Sequence, residues 1–194
     1  MNSSAPDLAP RLDPEARSRL LELAHASIRH GLDHGRPLSV RAKDFPEPLR
    51  AQRASFVTLE HQGALRGCIG HLEAVEPLVQ DVAKNAFAAA FRDPRFPPLA
   101  ESELAGLALH ISVLTPATEL EFESEQDLIA KLRPGIDGLI LQEGAARGTF
   151  LPSVWESLPE PQQFLAQLKR KAGLPIDHWS ERIRVFRYET EAFG

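Results

Sequence analysis

The sequence predicts an α+β fold, a largely antiparallel sheet flanked by helices, and three observations carry that prediction. Ala54 to Glu60 and Leu65 to His71 are β-rich runs separated by His61-Gln62-Gly63-Ala64, the signature of a hairpin. A second pair of runs, Gly138 to Gln142 and Thr149 to Leu151, flanks another glycine turn, Gly144 to Gly148. Each pair is followed by an amphipathic helix and then by a strand, an order that mixes hairpins and helices.

The chain of 194 residues is long enough for one large domain or two closely packed small ones, and needs no covalent staple. Its formal net charge of −5 argues against nucleic-acid binding through general basicity. A single cysteine excludes an internal disulfide and fits a reducing compartment. Without a signal-peptide pattern at Met1–Pro6 or an apolar run long enough to span a bilayer, the cytoplasm is the expected location.

Taken in order, residues 1–12 carry serine and proline and are expected to be frayed. Asp13-Pro14-Glu15 is a helix start, and Leu20, Leu21, Leu23, Ala24 and Ile28 form its apolar stripe, with an end expected near Gly31. His30 and His34 have i,i+4 spacing, but solvated histidines explain them better than a metal pair. Gly35 to Pro48 reads as a loop. After the first hairpin, Pro77 to Phe91 is a helix with an alanine-rich face suited to close packing on a sheet. Asp93-Pro94-Arg95-Phe96-Pro97-Pro98 ends it and forms a stiff connection. Leu107 to Thr115 alternates cleanly, with Leu107, Leu109, Ile111 and Val113 on one face. Ser124 caps a short helix to Leu132, Pro161 to Ala172 is another helix, and Ile183 to Tyr188 is a final strand.

The two hairpin regions echo each other. Gly63, Arg66 and Gly67 match Gly144, Arg147 and Gly148 at a constant offset. Duplication of a hairpin–helix–strand unit accounts for this; chance similarity of two glycine turns is the alternative.

Chemistry concentrates in Leu65-Arg66-Gly67-Cys68-Ile69-Gly70. In a regular strand Leu65, Gly67 and Ile69 face the core, while Arg66, Cys68 and Gly70 share the other face. That places a guanidinium beside the thiol, over a glycine that leaves open space, and an adjacent cation favours the thiolate. Cys68 is then a candidate nucleophile or thiol ligand, with Arg66 as its electrostatic partner and Gly67 and Gly70 as binding positions. A packed core cysteine is the competing reading. His110 and Ser112 share a face of another strand, and His110 could act as base toward Cys68 if the register allows. Asp93 and Arg95 are candidate binding residues of the proline loop, although mutual pairing and helix capping explain them as well. Lys169, Arg170 and Lys171 complement a helix dipole. Trp155 and Trp179 read as half-buried anchors. Cys68-Ile-Gly-His71 is incomplete as a zinc set, so no metal site is assigned. One cysteine cannot ligate an iron–sulfur cluster, and no cofactor is assigned.

Together, Leu65-Arg-Gly-Cys-Ile-Gly70, Asn85-Ala86, Asp93-Pro-Arg-Phe-Pro-Pro98, Ile111-Ser-Val-Leu114, Gly138-Leu-Ile-Leu141, Gly148-Thr-Phe-Leu-Pro152, Val154-Trp-Glu156 and Lys171-Ala-Gly173 resemble the AMMECR-type domain. Its prokaryotic members are called protein A of the AmmeMemoRadiSam system. The resemblance implies one such domain over residues 13–194, a larger and a smaller lobe, and a cleft near the cysteine motif. It further implies, as partners, a Memo-like protein and a radical-SAM protein, so it narrows partners more than chemistry. His110 departs from the pattern, since many relatives carry an acidic residue there. Two functions are expected on this basis: an accessory component acting through the Arg66–Cys68 strand, or a non-catalytic protein-binding scaffold.

Overall fold

The computed structural model describes residues 11–194, and its backbone divides into two compact units. One runs up to Leu114 and includes Glu191–Gly194; the other is Thr115–Thr190. The expected frayed stretch, residues 1–12, lies up to residue 10 outside the described residues. Leu12 is buried, and its backbone N–H donates to Glu191 Oε2 at 3.1 Å.

In the first unit, α1 (Pro14–His34) starts where Asp13 accepts the Ala16 N–H, and ends at Gly35, whose φ of 67° is left-handed. The helix therefore passes through Gly31, where the sequence suggested a stop. Gly31 is small for another reason: a Cβ there would come within 2.4 Å of the Phe91 ring. His30 and His34 simply stack one turn apart, with ring centroids 4.2 Å apart. The loop after Gly35 contains a short 3-10 turn and α2 (Glu47–Arg50).

The hairpin pairs β1 (Ser55–His61) with β2 (Ala64–Gly70) through Gln62 and Gly63, both left-handed at φ 54° and 77°. The helix α3 (Leu78–Phe91) follows, then β3 (Leu107–Leu114). β3 pairs with β1, not with β2, and the sheet closes with the chain's last strand in the order β2-β1-β3-β8, where β8 is Thr190–Phe193. Val57, Leu59, Leu109, Ile111 and Val113 face inward onto α1 and α3, as the alternation of Leu107–Thr115 predicts. Leu114 is buried as well, although it lies on the opposite parity.

The second unit repeats the topology. β4 (Thr118–Leu120) and α4 (Glu125–Lys131) precede a hairpin of β5 (Gly138–Glu143) and β6 (Ala146–Phe150), then α5 (Pro161–Lys171) and β7 (Arg184–Tyr188). The sheet order is β4-β7-β5-β6, so β7 returns to the first hairpin strand as β3 does to β1. The echo of glycine turns thus has a structural counterpart. Gly67 lies against the Ala89 carbonyl of α3, and Gly148 against Ala172 at the end of α5. Each strand glycine lets the helix that follows its hairpin sit directly on the sheet.

The second core centres on Leu139, Leu141, Phe164, Leu165, Leu168 and Val185. Trp155 belongs to this core and is not half-buried: it stacks on Phe164 at 3.7 Å and donates its indole N–H to the Asp137 carbonyl. Lys169 also departs from its expected role at the helix end. Its side chain is fully buried, pairs with Glu125 and lies 5.6 Å from the centroid of the half-buried Trp179 ring. Among the described residues, no helix is long and apolar enough to cross a membrane.

Candidate functional site

The cysteine strand departs from regular alternation at one residue. Leu59 pairs with Gly67 and Glu60 with Leu65, so Arg66 is the extra residue of a β-bulge. The bulge has two consequences. Leu65 turns away from the core and is 46% exposed, against the expected inward direction. Arg66 is taken up in a partly buried pair with Glu103, donating Nε–H to Oε1 at 2.6 Å and Nη2–H to Oε2 at 3.0 Å. A further donation to the Pro97 carbonyl anchors it to the proline loop. The Arg66 guanidinium holds the Glu103 carboxyl down at about 2, and the Ala100 N–H adds to this. Arg66 is therefore a fork that binds two loop segments, not the thiol's electrostatic partner.

The guanidinium near Cys68 belongs to Arg95. Asp93, almost fully buried, accepts the Cys68 backbone N–H at 2.8 Å and three N–H groups of Arg95 at 2.7–3.1 Å. Arg95 Nη2 also reaches the Cys68 carbonyl at 3.3 Å. The Arg95 side chain, aided by the backbone N–H groups of Cys68 and Arg95, holds the Asp93 carboxyl well below the usual carboxylate range despite its burial. Phe96 lies beside both cations, its centroid 5.8 Å from the Arg66 guanidinium carbon and 5.5 Å from that of Arg95. Asp93 and Arg95 pair with each other, as the plainer sequence reading held. The pair also fastens the proline loop to the cysteine strand.

The thiol of Cys68 is half-buried on the outer face of the sheet, where Thr58 Oγ1 donates to Sγ at 3.3 Å. Thr58 pairs with Cys68 on one side and with His110 on the other. His110 therefore shares the thiol's face but stands two strand spacings away, about 9.5 Å. It lies 3.9 Å from Glu60 and is not placed to act as base toward Cys68. Ser112 pairs with Phe56, which pairs with Gly70, so it too lies across the central strand from the cysteine strand.

Neither glycine of the motif leaves open space for a ligand. A Cβ on Gly67 would stand 2.1 Å from the Ala89 carbonyl oxygen, and one on Gly70 2.3 Å from the Ser55 carbonyl oxygen. Both positions are filled by the protein's own backbone.

Sequence reasoning missed Thr58, Glu103 and a polar cluster under the end of the hairpin. Thr58 was hidden by the bulge, since regular register counted from the Gln62-Gly63 turn would set Val57 opposite Cys68. Glu103 carries no signal before the fold is known. In the cluster, Asp81 Oδ2 accepts the Ser55 N–H, the Ser55 hydroxyl and the Asn85 amide. His71 Nε2 lies 2.7 Å from Asp81 Oδ1, and burial pushes the Asp81 carboxyl up against these favourable contacts. Among the described residues no three His, Cys, Asp or Glu side chains gather in a metal-binding group.

The family model AMMECR1 matches residues 21–193, nearly the whole of this architecture. The chain belongs to the AMMECR1 family. A relative from Methanothermobacter thermautotrophicus is 40% identical over 191 residues, covering 95% of this chain and 96% of that one. A Thermococcus onnurineus relative is 38% identical over 194 residues, covering 94% and 92%. Among solved structures, the crystal structure of uncharacterized protein PH0010 from Pyrococcus horikoshii is similar to this AMMECR1-family chain with a TM-score of 0.78. It is 37% identical, over 90% of this chain and 88% of that one.

Proposed function

We propose that this AMMECR1-family protein is an accessory component that works with a Memo-like protein and a radical-SAM protein through the surface around the Arg66–Cys68 strand. One observation carries the reading. The carboxylate of Asp93 binds the backbone of Cys68, so the two motifs most distinctive of the chain are fastened together with a partly buried cysteine between them. A fastened backbone and a partly buried cysteine suit a thiol ligand or nucleophile whose remaining chemistry is supplied by a partner. Among the described residues the hydrogen bond to Sγ comes from the Thr58 hydroxyl, and the Arg95 guanidinium stands close to the same side chain; neither is a base.

The second reading, a non-catalytic scaffold, draws on a different observation: Arg66 and Arg95 are each paired with a carboxylate and serve the architecture. Reconstitution separates the two. The Memo-like and radical-SAM proteins are combined with wild-type or Cys68→Ser protein, and co-elution and 5′-deoxyadenosine formation are measured. Loss of turnover with co-elution intact supports the thiol role. Unchanged turnover assigns the scaffold role, and absence of co-elution with the wild type overturns both.

A further inference from the structure

The second unit carries an open groove of about 680 Å³, remote in sequence from the cysteine motif. Its apolar part is Leu120, Phe122, Trp179 and Ile183, with the Phe122 and Trp179 rings 5.7 Å apart. Glu119, Glu121, Glu123 and Glu181 line it as well. The cation lining the groove is Arg184, and it is spent on Glu119 through two hydrogen bonds of 2.6–2.7 Å. Close by, Lys131 is committed to Asp127 and the Glu121 carbonyl. Among the described residues the carboxylates of Glu121, Glu123 and Glu181 therefore face the groove without a cationic partner. Glu119 and Leu120 also belong to β4, the outermost strand of its sheet, with β7 as its strand neighbour.

An aromatic wall, three uncompensated carboxylates and a free strand edge point to one kind of occupant. We infer that this groove docks an extended segment of a partner protein carrying lysine or arginine side chains. Backbone groups of the segment extend the sheet at β4, and alternate basic side chains reach the glutamates, their aliphatic stems lying along Phe122 and Trp179. Glu119 lies in β4, and Glu121 and Glu123 follow just beyond its end at Leu120.

The test uses the full-length protein and a fluorescein-labelled octapeptide alternating arginine and valine, followed by anisotropy at about 50 mM salt, where surface charge is weakly screened. The triple variant Glu121→Gln/Glu123→Gln/Glu181→Gln is compared with Glu22→Gln/Glu101→Gln/Glu156→Gln, which removes the same charge from exposed sites elsewhere. Weakening by about tenfold or more in the groove triple, with less than about twofold in the other, is expected. Equal weakening in both triples, or no wild-type binding by about 1 mM peptide, overturns the inference. Displacement of the peptide by equimolar spermidine overturns it too, since a small polyamine makes no use of a strand edge.

Discussion

The Asp93 carboxylate accepts the backbone N–H of Cys68 at 2.8 Å across 25 residues of sequence. This bond explains why a proline-rich loop, which pairs with no strand, holds a fixed position beside the hairpin. Its strength depends on charge, because a carboxylate accepting from an amide and a guanidinium forms stronger bonds than a neutral acceptor.

Removing that charge tests the claim directly. Asp93→Asn leaves the shape and forfeits the ionic bonds to Arg95 and Cys68, so a loss of about 2 kcal/mol is expected from charge-assisted bonds of this type. Urea denaturation should show the midpoint falling. An unchanged midpoint would mean that the loop is held by its prolines and Phe96 alone.

The same carboxylate and Glu103 set a pH dependence. Both sit below their ordinary range when folded, Glu103 at about 2, while unfolded carboxyls titrate near 4. The unfolded chain then binds the protons first. Stability from these groups is fully present above about pH 5 and is lost as pH falls through about 4 toward 2. In thermal melts across that range, Asp93→Asn/Glu103→Gln should start lower at neutral pH and decline less steeply than wild type. Parallel curves would place the acid sensitivity elsewhere.

A double-mutant cycle measures the Arg66–Glu103 fork. Arg66→Met strands a carboxylate and Glu103→Met strands a largely buried guanidinium, so each single variant should lose about 2 kcal/mol or more. The double variant should be less damaged than the sum, with a coupling of at least about 1 kcal/mol. Additive losses would show that the bulge holds its shape without the pair.

Much of the fold was legible because its signals are local. Gln62-Gly63 announced the hairpin, Ser124 its helix cap, and the period of two in Leu107–Thr115 its buried face. The edge strands Thr118–Leu120 and Thr190–Phe193 were not legible; they are three and four residues long and exist through pairing with distant strands. The bulge at Arg66 escaped for a related reason. A bulge is a mismatch of count between two strands, and one strand alone reads as regular. Gly31 and Gly67 show a further limit: glycine marks a helix stop, an open site or a close approach with the same letter, and here both are close approaches.

That last distinction gives a graded prediction. Gly67→Ala pushes a methyl into the Ala89 carbonyl, backbone against backbone, and should cost about 3 kcal/mol or leave the protein unfolded. Gly148→Ala meets Ala172 at 2.8 Å or more and should cost less. Gly63→Ala has open space but a φ of 77°, so about 1 kcal/mol of backbone strain is expected. Urea midpoints should fall in the order Gly63→Ala, Gly148→Ala, Gly67→Ala. A tolerated Gly67→Ala would show that α3 can lift from the hairpin and would restore the glycine as a site a ligand could fill.

The sharpest separation concerns the thiol and its two neighbours along one row of the sheet. Thr58 donates to Cys68 Sγ, and a hydroxyl donor solvates a sulfur that is gaining negative charge. Thr58→Val removes that donor while keeping the side chain's shape, so iodoacetamide should modify Cys68 more slowly, by about threefold if one ordinary hydrogen bond of roughly 0.7 kcal/mol is lost. His110→Ala should leave the rate unchanged, because Thr58 lies between the imidazole and the sulfur. Since the chain has one cysteine, mass spectrometry of the intact protein follows the reaction without ambiguity. A rate that responds to His110→Ala and not to Thr58→Val would mean that the imidazole reaches across the row, and would return His110 to the role of base.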